Sequence, residues 1–307
     1  MEINKTIIVT AIAGLISLIA CKKDNKTTNP TPPTTYGVIS FHLHTNISNN
    51  EDSLTPSGLG FPIQDSIFTS VPSHKGYVNI MLDTAQLYIS NIVLHNTNGS
   101  NVSVSGQYIL KYIAAEGPYI LGSVPTGNYN SVSFNVGLDA SANGMNPSMN
   151  MADASQQFPG SGAGTTFNVF NPPATFTSSA GQAGTIAPMW SGSWNSTTGY
   201  YFVNVSGFAD TSVNQTGKYQ HFSYQLSTAT VAINLPAQTT ANAGQTSVSV
   251  STSNTMASPA EMHLICDYGQ LMKGITSFVP PNNTTANANT ATAIRNGVAN
   301  MFHYEKQ

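Results

Sequence analysis

His42 and His44 lie one residue apart in Phe41-His-Leu-His-Thr45. On a strand that spacing puts both imidazoles on one face, within reach of a single ion. Imidazole suits copper, zinc and nickel; the competing reading is a polar strand face turned to water. Both tryptophans of the chain, Trp190 and Trp194, fall in one Gly/Ser-rich loop beginning at Met189. They either close a lid over a core or help to build a site. Met145, Met149 and Met151 add thioethers, which favour Cu(I), although loop methionines also serve as packing filler. Cys266 ends the run Met262-His-Leu-Ile-Cys266. A reactive thiol needs an activating neighbour, and His263, an odd number of residues away, points to the other strand face. Cys266 therefore reads as a buried strand residue. The chain has no Gly-Xaa-Ser-Xaa-Gly, His-Glu-Xaa-Xaa-His or P-loop motif and no paired carboxylates in an acid/base pattern. Isolated Ser, His and Asp residues are all that a hydrolase would have, so a binding protein is expected, not an enzyme.

The composition agrees. Of 307 residues only 7% are charged, against about 25% in an average soluble protein. A net charge of -3 gives no reason to expect nucleic acid. Lys5 and the apolar run from Ile7 to Ile19 form a short leader, followed at once by Lys22-Lys23-Asp24. That run is too short for a stable transmembrane helix. Leu18-Ile19-Ala20-Cys21 resembles the bacterial lipoprotein signal, whose cleavage leaves the cysteine, here Cys21, as the acylated first residue; the plain alternative is a secretory signal with an incidental cysteine. Lys22 after the cysteine resembles outer-membrane sorting, and the charged start resembles that of surface-exported Bacteroidota lipoproteins. An outer-membrane lipoprotein facing the periplasm or the cell surface is expected. The chain divides into a signal at 1–20, a Thr/Asn/Pro-rich tether at 21–36 that cannot bury enough apolar surface to fold, and one domain at 37–307.

Many short alternating segments follow. Gly37 to Thr45 alternates as a strand, while Ser48 to His74 carries Pro and Gly breakers and reads as loop. Gly76 to Leu94 restores apolar weight, and Asn96-Thr-Asn-Gly99 makes a hairpin-type turn. Further strands are expected near Val102, at Tyr108–Ile113, Tyr119–Val124, Ser131–Leu138, Tyr201–Ser206, Ser247–Ser251 and Glu261–Cys266. Tyr219–Leu226 and Thr230–Leu235 read as a strand pair. The pattern is lost from Asp139 to Pro188. Asp267 is placed to N-cap a short helix through Lys273, and Ala293 to Phe302 has helical spacing. The expected class is all-β: a β-sandwich or flattened antiparallel barrel with long loops and one or two short C-terminal helices.

Several segments in order resemble the MbnP-like copper-binding proteins, including their Bacteroidota lipoprotein members. Phe41-His-Leu-His-Thr45 resembles that family's first strand, and Leu87-Tyr-Ile-Ser-Asn-Ile-Val-Leu94 its core motif. Val124-Pro-Thr-Gly-Asn-Tyr129, Phe134-Asn-Val-Gly-Leu-Asp139 with Asn143, the block from Trp194 to Gly207, and Asp267 to Ile275 resemble further family segments. The resemblance implies one copper bound by histidines beside a tryptophan oxidised to kynurenine, the oxidation performed by a di-haem partner of the cytochrome c peroxidase type. His44 matches the strand-one histidine, and Trp190 and Trp194 match the paired tryptophans. The chain departs from the pattern at Gln225 and Met189, where relatives commonly carry histidine, and in the spacing around Trp194. Met189 and His42 are the candidate substitutes. His221 would serve only if its strand bulges.

Two functions are carried forward. The first is a membrane-anchored, extracytoplasmic copper-binding or copper-handling lipoprotein. The second is a metal-free surface binding or structural module whose copper site has been lost. Asp52-Ser-Leu, Asp65-Ser-Ile and Asp83-Thr-Ala also resemble the Bacteroidota O-glycosylation motif, which would place glycans on Ser53, Ser66 or Thr84.

Overall fold

A computed structural model of the chain describes residues 34–46, 63–68, 77–104, 108–113, 118–143, 194–195, 197, 199–212, 216–227, 229–238, 247–275, 278 and 288–305. Two sheets pack face to face. The smaller is built from β1 (Tyr36–Asn46), β6 (Tyr119–Pro125), β14 (Ala260–Asp267) and β15 (Phe302–Tyr304), in the order β15-β14-β1-β6. From Ile39 onward the apolar residues of β1 alternate, so Ile39, Phe41 and Leu43 turn inward. Phe41 meets Phe134 of the facing sheet at 6.2 Å, and Phe134 meets Phe302 edge-on at 5.0 Å. That aromatic chain ties the two layers together through one continuous core. Among the described residues, the buried core runs from Val38 to Tyr304, inside the compact unit Thr34–Gln307.

The larger sheet is organised on β3 (Tyr77–Asn96), whose 20 residues are several times the usual strand length of about 5–6. Several shorter strands therefore fit end to end along each of its edges. On one edge, β10 (Val203–Asp210) pairs with the first half and β7 (Gly127–Val136) with the second. The other edge carries β2 (Ile63–Phe68), β5 (Ile109–Tyr112) and β4 (Asn101–Val104). Gln86 pairs with both Asn204 and Tyr112, and Ile89 with both Ile109 and Val136, which fixes β10 and β7 on the same side. Outside them run β11 (Tyr219–Leu226) beside β10, and β12 (Val231–Leu235) beside β7, where β13 (Val248–Val250) also pairs. A short hairpin of β8 (Trp194–Asn195) and β9 (Gly199–Tyr200) lies apart.

The fold class is the expected one, with corrections in detail. β11 and β12 are not a pair: they follow one another along the sheet, each on its own neighbour, because the doubled β3 provides two tiers of edge. β2 lies inside the stretch expected to be loop; Pro62 precedes the strand and does not interrupt its ladder. β1 and β14 are parallel, the exception among antiparallel pairings. A short α1 (Ala140–Asn143) follows β7. The Asn96–Gly99 turn is present, with Gly99 at φ 85° and its N–H donating to the Asn96 carbonyl at 2.9 Å.

The C-terminal helices are α2 (Tyr268–Met272) and α3 (Ala288–Asn300), the latter starting earlier than its apolar spacing suggests. Asp267 caps α2, accepting from Gly269 N at 2.8 Å and Gln270 N at 3.3 Å. α3 lies so close to α2 that a Cβ on Gly297 would stand 2.4 Å from the Leu271 carbonyl. That approach lets α3 turn directly into β15, with Asp267 N bonded to the Met301 carbonyl at 2.8 Å. Gly297→Ala is expected to force the helices apart at a cost of about 1–3 kcal/mol. At roughly 2–4 °C per kcal/mol for a domain of this size, thermal unfolding should show a fall in Tm of several degrees.

Candidate metal centre

Three of the chain's seven histidines converge on the outer face of the smaller sheet. β1 and β14 run parallel in register, with Ser40 opposite Glu261 and His42 opposite His263. Parallel neighbours in register present the same face together. His42 and His44 therefore share a surface with Glu261 and His263, while Phe41, Leu43, Met262 and Leu264 point into the core. β15 pairs on the far side of β14, and the Glu305 N–H donates to the His263 carbonyl at 3.3 Å. This delivers a second carboxylate beside His263.

The imidazoles form a stack. His42 and His44 have ring centroids 4.2 Å apart and are 7° from parallel; His42 and His263 are 4.9 Å apart. One nitrogen from each ring lies within 4.8 Å of the other two. His44 Nε2 is 3.3 Å from His263 Nδ1 and 3.3 Å from Glu305 Oε2, and His263 Nδ1 is 3.0 Å from that same oxygen. On the other side, Glu261 Oε2 is 3.4 Å from His42 Nδ1 and 3.5 Å from His263 Nε2. All five side chains are part-exposed, so ions reach them from solvent. His263 thus stands between two carboxylates. A neutral imidazole carries one N–H and one lone pair, so one of its nitrogens must face a carboxylate oxygen without a hydrogen between them. Either a proton or a metal cation relieves that contact. An imidazole-rich set with carboxylates matches borderline divalent ions such as copper and zinc.

Of the residues expected at a site, the structure brings His42 and His44 together and adds His263, Glu261 and Glu305. Met189 and Trp190 lie outside the described residues, as do Met145, Met149, Met151, Cys21 and Ser53. Trp194 is described through its backbone, paired with Tyr200 in the β8–β9 hairpin. That hairpin packs on the larger sheet: Tyr200 meets Tyr88 edge-on at 5.9 Å, and its N–H donates to Asn143 Oδ1 at 2.8 Å. Tyr88 alternates with Leu87 and Ile89, which are core residues, so this contact lies on the outer face of the larger sheet. Burial pushes both phenols well above their ordinary range. β10 and β11 pair from Val203–Leu226 to Asp210–Tyr219 with no shift of register. No bulge moves His221, which packs against Phe208, and Gln225 donates to Asn204 Oδ1 at 3.4 Å. Ser66 lies in β2, and Thr84 is half-buried on β3 opposite Ser206.

The spacing that puts His263 on the opposite strand face from Cys266 also turns it outward, beside His42. Cys266 is fully buried, and burial pushes its thiol up to about 12.

The MbnP family model matches residues 63–292. The solved structure of MbnP from Methylosinus trichosporium aligns over 88% of this chain and 98% of that chain at 12% identity, with a TM-score of 0.37. The comparison with curated proteins finds no match.

Because a buried thiol of this kind is both protonated and shielded, a chain beginning at Lys22 should resist a thiol-reactive probe at pH 8 while folded. It should label fully in denaturant. Rapid labelling of the folded protein would show that Cys266 is accessible.

Proposed function

For a chain that belongs to the MbnP family, we propose a copper-binding or copper-handling role, with the ion taken up at the outward histidines of β1 and β14. The observation that carries this is the convergence of His42, His44 and His263 within 4.8 Å of one another. Three imidazoles on two rigid, adjacent strands are pre-organised. Little side-chain freedom remains to be lost when an ion binds. Two nearby carboxylates supply compensating charge for a divalent cation.

The same reading extends to the finer features that the family resemblance implies. Trp190 or Trp194 is the candidate for oxidation to kynurenine, with a di-haem cytochrome c peroxidase-like partner as the oxidant. The leader and Cys21 support a lipid-anchored protein of the outer membrane, and a net charge of -3 gives no reason to expect nucleic acid. The role is binding, not catalysis. The second reading, a metal-free surface module, is favoured by Gln225, which is engaged with Asn204 and offers no imidazole.

The test is a Cu(II) titration of the chain from Lys22 onward, produced with and without a di-haem peroxidase, alongside metal analysis and intact mass. Copper bound at one equivalent is expected. His44→Ala should weaken it by at least about tenfold, consistent with loss of one ligand. Copper-free protein in both preparations, with no oxidised tryptophan in either mass, would leave the metal-free module as the surviving reading.

A further inference from the structure

We infer that the cation is held by His44 Nε2, His263 Nδ1 and Glu305 Oε2, with Glu261 as a positioning residue for His263 and His42 as one for His44. This assignment rests on the metal-binding reading above and makes it specific. A single ion can bond to only one nitrogen of the His263 ring, so the five donors divide into two groups. The first comprises His44 Nε2, His263 Nδ1 and Glu305 Oε2, whose three separations are 3.3, 3.3 and 3.0 Å. Donors bonded to one cation at about 2.0–2.2 Å stand roughly 2.8–3.6 Å apart in octahedral or tetrahedral arrangements. All three edges of this triangle fall in that window. The second group meets the His263 ring through its other nitrogen and at longer range: Glu261 Oε2 is 3.4 Å from His42 Nδ1 and 3.5 Å from His263 Nε2.

These longer contacts have a different use. A metal-bound histidine almost always donates its other N–H to a carboxylate or carbonyl, which fixes the tautomer and orients the ring. Glu261 Oε2 faces His263 Nε2 at 3.5 Å and leaves Nδ1 turned toward His44 and Glu305. His42, stacked flat on His44 at 4.2 Å, limits the rotation of that ring.

Two imidazoles and one carboxylate, with no sulfur, form a set that suits divalent ions over Cu(I). Three protein donors also leave coordination positions open to water or a small anion. The ligands come from β1, β14 and the residue that follows β15, and not from β1 alone.

Cu(II) and Zn(II) titrations of the chain from Lys22 onward, with His44→Ala, His42→Ala, His263→Ala, Glu305→Gln and Glu261→Gln beside wild type, test the assignment. The Cu(II) electron paramagnetic resonance spectrum counts the bound nitrogens. Wild type should show two nitrogens and bind Cu(II) and Zn(II) but not Cu(I) tightly. His263→Ala and His44→Ala should each show one nitrogen. Glu305→Gln should lower affinity by more than about tenfold, and Glu261→Gln by about 10–100-fold with two nitrogens retained. His42→Ala should keep two nitrogens while lowering affinity, because the stacking that limits rotation of the His44 ring is lost. Tm of each apo variant checks that the fold is intact; these part-exposed positions lie outside the core. If wild type binds but Glu305→Gln is unaffected, or His42→Ala loses a nitrogen, this assignment is wrong while the metal-binding reading stands. Absence of any binding to wild type overturns both.

Discussion

The parallel pairing of β1 with β14 is the constraint on which the rest depends. These strands come from opposite ends of the described domain, and their in-register ladder runs from Ile39–Ala260 to Asn46–Asp267. A slip of one residue would turn every side chain of one strand to the other face. Phe41 and Leu43 would leave the core, and His42 and His44 would enter it. Burial of the apolar face, at about 1.5–3 kcal/mol for each large side chain, therefore enforces the position of the imidazoles. The site is precise because the core beneath it tolerates no other register.

The larger sheet obeys a second constraint, the doubled length of β3. Where β10 begins and β7 ends, the two meet along one edge, and the seam lies at Tyr88. Its N–H donates to the Phe202 carbonyl at 3.1 Å, and its own carbonyl accepts from Gly137 N at 2.8 Å. Gly137 has φ 125°, and a Cβ there would stand 2.6 Å from the Phe202 ring. Ser90 donates its hydroxyl to the Gly137 carbonyl at 2.7 Å. The segments around Leu87, Phe134 and Gly199, far apart in the chain, meet at this seam. Their shared pattern reflects the joint between two tiers of sheet as well as any ligand they serve.

Local chemistry in the sequence was legible. Alternation placed His42 and His44 on one face, spacing turned Cys266 away from His263, and Asp267 announced its helix. The strands' partners were not. His44 and His263 are separated by 219 residues, and nothing in either segment encodes the other's register. β11 and β12 looked like a hairpin because a short polar connection between two alternating runs usually is one; here β10 and β7 already offered matched edges. β2 was hidden by the Pro and Gly residues around it. Glu305 carried no signal at all, since a single carboxylate after a short strand acquires meaning only once β15 lies beside β14.

The separation of β1 from β14 and β15 also sets an order in time. As the chain emerges N-terminus first, His42 and His44 appear early, as an isolated pair on a strand without its neighbours. His263 and Glu305 follow more than two hundred residues later. Until then the ladder that holds the pair's rings flat does not exist. The three imidazoles meet only once β14 has paired with β1, and Glu305 joins them only when β15 closes beside β14. The fold thereby delays the convergence of these side chains until its core is assembled.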